Sequence, residues 1–309
     1  MPLLTALWLA VPAIAAAAGV CDRTCLEALA RSYWTALLAH DPGRLPHAAT
    51  LTFTENNVRL RLGVGLWQTV STADSPDIAI LDEERGEVAT MARITEGARA
   101  ALAFARLKVA RGQVTELETI VARRETASFL RPEGWDQARD LILQDLEPAA
   151  RRSRTALIEV AEAYFERLPD STKPLPPLDG RCNRIENGLR TTNNPDPFPG
   201  VTSPPLNAAV SRLSCEQQFA SQTLSFVSRV RARRYPLVDE TRGLVLALSL
   251  FDHDGVLAVT PHTGVKLSAP LPSPYSYIVA ELFKISAGRI VLIEAVISLV
   301  PYGMASAWP

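Results

Sequence analysis

An α+β fold of two tandem units, each of helices packed on a curved antiparallel sheet, is what the sequence predicts. Three observations predict it: an internal repeat, an amphipathic helix opening each copy, and strands turned by glycine or asparagine after it. Ser32-Tyr33-Trp34-Thr35-Ala36-Leu37 leads to Thr54-Glu55-Asn56-Asn57, and Ala163-Tyr164-Phe165-Glu166-Arg167-Leu168 leads to Ile185-Glu186-Asn187-Gly188, at an offset of 131. Leu81-Asp82-Glu83-Glu84-Arg85-Gly86-Glu87-Val88 is echoed by Val238-Asp239-Glu240-Thr241-Arg242-Gly243-Leu244-Val245 at 157, so the second copy holds an insertion. Leu107-Lys108-Val109, Gly112, Val114 and Glu118 recur as Phe283-Lys284-Ile285, Gly288, Ile290 and Glu294 at 176. The resulting division is a leader at 1–18, a first unit at 19–124, a connecting helix within 125–153 and a second unit at 154–309.

Each element has its own warrant. Leu26, Leu29, Ala30, Tyr33, Trp34 and Leu37 fall at three- and four-residue spacing, as do Leu157, Val160, Ala161, Tyr164, Phe165 and Leu168, which gives each unit an opening helix. Residues 51–55 alternate apolar with polar, and Asn56-Asn57 or Asn187-Gly188 supplies a tight hairpin turn. Strands at 104–109 and 114–122 close the first unit, and strands at 278–285 and 289–299 close the second, turning at Gly112 and Gly288. Between the units, Trp135, Ala138, Leu141, Ile142 and Leu146 predict a packed helix over 132–152. Residues 169–205 hold nine of the 23 prolines and read as ordered but irregular.

Charge and cysteines narrow the function classes. A formal charge of −1, with Arg231, Arg233 and Arg234 as the densest basic run, excludes a nucleic-acid surface. The leader is apolar, too short to span a membrane and ends in small residues, so it reads as a signal peptide for a secreted or periplasmic protein. Four cysteines in an exported chain predict two disulfides. Cys182 with Cys215 would close the insertion, adding about 3 to 4 kcal/mol, and Cys21 would pair locally with Cys25.

The residues resemble the SnoaL-like, or nuclear transport factor 2-like, superfamily of cone-shaped domains, which includes ketosteroid isomerases and polyketide cyclases. Ser32-Tyr33-Trp34-Thr35-Ala36-Leu37-Leu38-Ala39-His40-Asp41 is similar to its first helix. More narrowly, Thr54-Glu55-Asn56, Leu62-Gly63-Val64-Gly65-Leu66-Trp67, Phe251-Asp252-His253, Ala280-Glu281-Leu282-Phe283-Lys284 and Val300-Pro301-Tyr302-Gly303-Met304 with Trp308 are similar to secreted fungal and bacterial proteins carrying a domain of unknown function. The resemblance implies two tandem cones packed as an intramolecular pseudo-dimer, with a homodimer as the further assembly. In ketosteroid isomerases a tyrosine of the first helix donates to a developing enolate, and a carboxylate about two dozen residues later takes the proton. Tyr33 and Tyr164 match the tyrosine; the acid position falls on or beside Asn56 and Asn187, with Glu55 and Glu186 one residue earlier.

Strand alternation then separates the two units. If Phe53 faces the core, so does Glu55; the second copy has Arg184 and Glu186 there. Arg184 with Glu186 in a dry cavity either orients a substrate oxygen beside a base or forms a structural ion pair. His253, between Asp252 and Asp254, is either a general base or part of a hairpin turn, and His262 follows nine residues later. Tyr164, Asn183 and Asn187 are candidate oxyanion donors, and Asn193 a candidate rim residue. Tyr33 and Glu55 are the matching binding candidates of the first unit. No metal site, cofactor motif or nucleophile elbow is expected. The reading is a cofactor-independent lyase or isomerase acting by proton abstraction on a small apolar or phenolic substrate, with Glu186 or His253 as base; a noncatalytic small-molecule binder or scaffold is the alternative.

Overall fold

The computed structural model describes residues 21–74, 78–127, 130–197, 210–255 and 273–309. The leader, His262 and the end of the proline-rich stretch lie outside the described residues.

Asp22 starts the first helix, α1 (Arg23–Leu38), by accepting the Cys25 N–H at 2.9 Å. Its buried stripe is Leu26, Leu29, Ala30, Tyr33, Trp34, Ala36 and Leu37. Then come β1 (His47–Glu55), β2 (Val58–Leu60), the short α2 (Leu66–Thr69), β3 (Val70–Ala73), β4 (Ile78–Asp82), β5 (Glu87–Glu96), β6 (Arg99–Ala110) and β7 (Gln113–Ala122). A five-residue α3 (Arg139–Leu143) precedes α4 (Arg154–Arg167), β8 (Leu178–Glu186), β9 (Leu189–Arg190), α5 (Cys215–Ala220), β10 (Arg229–Asp239), β11 (Leu244–His253), β12 (Tyr275–Ser286) and β13 (Arg289–Val300).

The first sheet runs β2-β1-β7-β6-β5-β3, with β4 also on β5; the second runs β9-β8-β13-β12-β11-β10. In each, the first strand lies parallel to the last and the other pairs are antiparallel. Register repeats as well as order: Thr90 opposes Ala105 as Ala247 opposes Glu281, and Glu55 opposes Thr119 as Glu186 opposes Ala295. Asn56 and Asn187 both sit at φ +47°, the left-handed region that asparagine tolerates. Each clamps its sheet by a two-way amide bond, Asn56 to Val121 (2.8 and 3.2 Å) and Asn187 to Ile297 (2.8 and 3.0 Å).

Three expectations differ from this architecture. The described chain is mostly β, in two mixed sheets of seven and six strands, which overturns the pair of cone-shaped α+β units. Among the described residues only α1, with 16 residues, and α4, with 14, exceed six residues. The added strand content lies in β4, β5, β10 and β11, of which β11 is buried along its whole length and so shows no two-residue alternation. The helix expected over 132–152 is only α3, flanked by tight turns at Pro132–Gly134 and Pro148–Ala150; Gln144 ends it in extended backbone, and Pro148 holds Glu147 extended as well. Within the proline-rich stretch, β8 is regular.

Three cores follow from this layering. One packs α1 on the first sheet, a second packs α4 on the other, and a third lies between the sheets, where Met91, Phe104 and Ile120 meet Leu246, Leu248 and Leu282. Buried charge is paired at that junction: Arg106 reaches Glu87 (2.8 Å), Glu116 (2.8 Å) and Glu118 (3.2 Å), and Arg234 reaches Glu118 (2.7 Å). The Trp308 ring lies 5.0 and 5.7 Å from these two guanidiniums. The halves also exchange the segments that follow their last strands. Asn57 in the first hairpin bonds Ala305 O and Ala307 N (both 2.8 Å), while Arg131 N bonds Asn187 O (2.9 Å) in the second. Gly188 is required in that second contact, since a Cβ there would collide with the Arg131 carbonyl.

Candidate functional site

The α4 face of the second sheet carries a cavity whose walls are Tyr164, Leu168, Arg184, Glu186, Asn187, Leu224, Phe226, Val227, Phe251, His253, Tyr277 and Ile297. The cavity has a volume of about 50 Å³ and opens to solvent. Strand pleating points Arg184 and Glu186 to the same side, and the helical spacing of α4 points Tyr164 at them. The Cys182–Cys215 disulfide ties α5 to β8 and so brings Gln218 to Arg184; Cys21 pairs with Cys25, and no described cysteine is free.

Arg184 is the hub, 4% exposed. Its guanidinium donates to the Tyr164 hydroxyl (3.2 Å), to Thr191 Oγ1 (3.4 Å) and to Gln218 Oε1, and it lies 3.6 Å from Glu186. Gln218 is fixed in turn by donating to the carbonyls of Thr191 (2.6 Å) and Val210 (2.9 Å). Burial alone would depress the Arg184 pKa, but Tyr164 and Glu186 raise it, so the cation persists. Behind Tyr164 stands Glu281, 2% exposed, with Oε2 unpartnered among the described residues. Burial, then the Glu186 charge, push Glu281 up to about 8, which leaves it mostly a neutral acid at pH 7. Burial and then Glu281 hold the Tyr164 phenol well above its ordinary value. Tyr164 is therefore a neutral hydrogen-bond donor beside a cation.

His253 ends β11 and is not in a turn. Its ring stacks between Phe226 (5.2 Å) and Tyr275 (4.5 Å), and Nδ1 meets Phe226 O at 2.9 Å. That bond assigns the proton to Nδ1 and leaves Nε2, which has no partner among the described residues, as an acceptor. Burial pushes the imidazole down to about 4, so it is neutral. Asp252, the adjoining acid, is bound by Arg229, Arg231 and Ser276, whose hydrogen bonds outweigh burial and lower its pKa.

The remaining sequence candidates divide. Asn187 lines the cavity, but its amide is committed to Ile297. Asn183 and Asn193 are not brought there: Asn193 is exposed and donates to Cys182 O (3.0 Å) and Asn183 Oδ1 (3.0 Å), and Asn183 faces the other side of the sheet because it alternates with Arg184. In the first half Tyr33 is buried with its hydroxyl unpartnered among the described residues, and burial followed by Glu55 raises its pKa. Glu55 accepts the Leu66 N–H at 2.7 Å and meets Arg123 at 3.0 Å, both structural uses. Glu281 and Gln218 were missed. A lone carboxyl inside the apolar run 275–286 was a signal for Glu281, whereas nothing local marks Gln218.

The cavity lies within the part of the chain that has a counterpart among known families. Residues 150–297 match a domain of unknown function, DUF8021. That stretch runs from before α4 into β13 and includes every wall of the cavity. No curated protein matches the chain. Among solved structures, a de novo designed protein with a curved β-sheet is 10% identical over 34% of this chain and 89% of its own, with a TM-score of 0.29. AclR, a putative hydroxylase from Streptomyces galilaeus, is 11% identical over 41% of this chain and 91% of its own, also at 0.29. At that score neither likeness bears on fold or activity. Among the described residues no group of three or more His, Cys, Asp or Glu is arranged to hold a metal ion, and none of the described helices is long and apolar enough to cross a membrane.

Proposed function

We propose that the second half is a cofactor-independent lyase or isomerase acting on a small molecule with an apolar or phenolic body and one carbonyl or hydroxyl head. One observation carries this reading: Tyr164, Arg184 and Glu186 converge on one wall of a cavity otherwise lined by aromatic and aliphatic side chains. Glu186, 23% exposed at its side chain, takes a proton from the carbon beside the carbonyl. Arg184 and Tyr164 stabilise the oxygen as it gains charge. The proton then returns to a different carbon, or a neighbouring leaving group departs with its electron pair. Glu281 keeps Tyr164 protonated and oriented, and His253 closes the apolar side as a neutral acceptor.

Export and kinship with SnoaL-like proteins belong to the same proposal. Two disulfides and the apolar leader support the first, and the tyrosine at one helix position in both halves supports the second. A noncatalytic binder is the second reading, favoured by the full set of partners that Arg184 already has. The two separate on solvent-deuterium exchange into cyclohexanone and 2-cyclohexenone, followed by NMR. A catalytic site speeds exchange over buffer, and Glu186→Gln lowers that rate by about 10²-fold or more. Binding of either ketone without accelerated exchange favours the binder.

A further inference from the structure

The α4 cavity is too small for the substrate proposed for it. Its volume is about 50 Å³, whereas sites for small molecules run from about 300 Å³ upward. One wall must therefore move. Most walls are fixed: Arg184 and Glu186 lie on β8, Phe251 and His253 on β11, Tyr277 on β12 and Ile297 on β13, and each of these strands is paired on both sides. Tyr164 and Leu168 belong to α4 and its C-cap, which Leu157, Ala161 and Phe165 bury against the sheet.

Leu224, Phe226 and Val227 are different. They come from residues 221–228, which lie in neither helix nor strand between α5 and β10. The segment closes on its own backbone, with Thr223 N–H donating to Gln218 O, Ser225 N–H to Gln222 O and Val227 N–H to Leu224 O (each 3.1 Å). Its bonds to the second sheet are at the far end: His253 Nδ1 donates to Phe226 O (2.9 Å) and Ser228 N–H to Asp252 O (2.9 Å). Gln222 turns the chain out of α5 at φ +56°, in the left-handed region that strains a glutamine. Helix α5 is itself anchored, by the capping box at Ser214 and the Cys215 disulfide. In the first half α2 ends at Thr69 and β3 begins at Val70, which leaves no segment of this kind.

We propose that residues 222–227 are a lid on the α4 cavity, hinged at Gln222 and Ser228, whose opening admits the substrate; this rests on the reading of that cavity as a small-molecule site. Opening breaks the His253–Phe226 hydrogen bond and lifts the Phe226 ring from the imidazole, 5.2 Å away, without disturbing a strand pair. Leu224 and Val227 leave with it, and the space between α4 and the sheet becomes large enough for an apolar or phenolic body. Closure returns the three side chains over the ligand and shields Arg184 and Glu186 from water.

Amide hydrogen exchange of the wild-type protein tests the opening. The N–H groups of Thr223, Ser225 and Val227 should share one protection, about 100-fold or more below that of the β11 and β12 amides under them. Protection equal to that of the strands overturns the proposal, as does exchange of the three at unrelated rates. Leu168→Cys tests what the opening uncovers. Leu168 is 4% exposed, and the four native cysteines are all in disulfides, so the introduced thiol is the one free thiol. Iodoacetamide and the bulkier N-phenylmaleimide should both label it, each slowed by the same factor relative to the urea-unfolded chain, because both wait for the same opening. Adding Phe226→Ala should speed both about tenfold. Labelling by iodoacetamide alone, labelling only at the rate of global unfolding, or rates that Phe226→Ala leaves unchanged each overturn the proposal. The exchange measurement needs no variant, so it stands if Leu168→Cys does not fold. Neither measurement uses a ketone, so failure of the lid and failure of the proposed catalysis are read separately.

Discussion

The two halves share strand order, register and the asparagine clamp, yet they fill the space beside their long helices with opposite chemistry. Phe53, Ala92 and Ala105 in the first half stand where Arg184, Ser249 and Glu281 stand in the second. Under Tyr33 the first half keeps one acid, Glu55, and employs it as a cap for Leu66. Under Tyr164 the second half buries a cation, the Glu281 carboxyl and the Gln218 amide, with the partly exposed Glu186 beside them. One copy thus keeps the apolar packing that burial favours, while the other places polar and charged side chains at the matching positions. Uncompensated polar groups are costly, and concentrating them in one copy is the pattern expected of a site.

The largest test of that contrast is Arg184→Met. Removing the guanidinium leaves Glu186, the Gln218 carbonyl oxygen and the Tyr164 hydroxyl without their partner, and the expected loss is about 3 to 5 kcal/mol in urea unfolding. A loss under about 1 kcal/mol would mean that the wall is solvated and not a buried network. Next is the tether of α5: replacing Cys182 and Cys215 by serine should cost about 2 to 4 kcal/mol and should release Gln218 from Arg184. The scaffold itself predicts equality. Asn56→Ala and Asn187→Ala each remove two amide hydrogen bonds and should each cost about 2 kcal/mol. A large difference between them would break the structural equivalence of the halves.

The smallest effect is in pH. Burial pushes Glu281 and Glu294 up to about 8, with Glu186 and Asp136 respectively as the second cause. Between pH 6.5 and 8 the native state holds protons that the unfolded chain has already released, so stability falls as pH rises through that window. The depressed His253, at about 4, works in the other direction only as pH falls below 6.5, and the depressed Lys284 only as pH rises beyond about 8. Thermal unfolding should therefore show a decreasing melting temperature from pH 6.5 to 8. Glu281→Gln and Glu294→Gln should each flatten the trend, and an unchanged slope in both would contradict their burial as neutral acids.

Three walls of the candidate cavity were legible in the sequence, and less of the fold. The repeat located Tyr164, Arg184 and Glu186 because offset and alternation act over a few residues, and the described geometry places all three on one wall. Fold class failed where local periodicity is silent. Strand β11 is buried throughout, so its apolar run carries no two-residue signal, and the helix that apolar spacing suggests over 132–152 shrinks to Arg139–Leu143, where Gln144 turns the backbone extended. Asn183 and Asn193 failed for another reason: their side chains are used by neighbouring strand and loop groups. Gln218 reaches Arg184 only through the path of the disulfide, a relation 34 positions long that no local pattern encodes.

The central claim is that one half is chemically active and its duplicate is not, and deuterium exchange into the two cyclohexyl ketones tests it most directly. Glu186→Gln and Glu55→Gln are to be compared as folded proteins of matched circular dichroism. The account predicts that exchange is lost in Glu186→Gln and retained in Glu55→Gln. Equal loss in both, or wild-type exchange no faster than buffer, would contradict it.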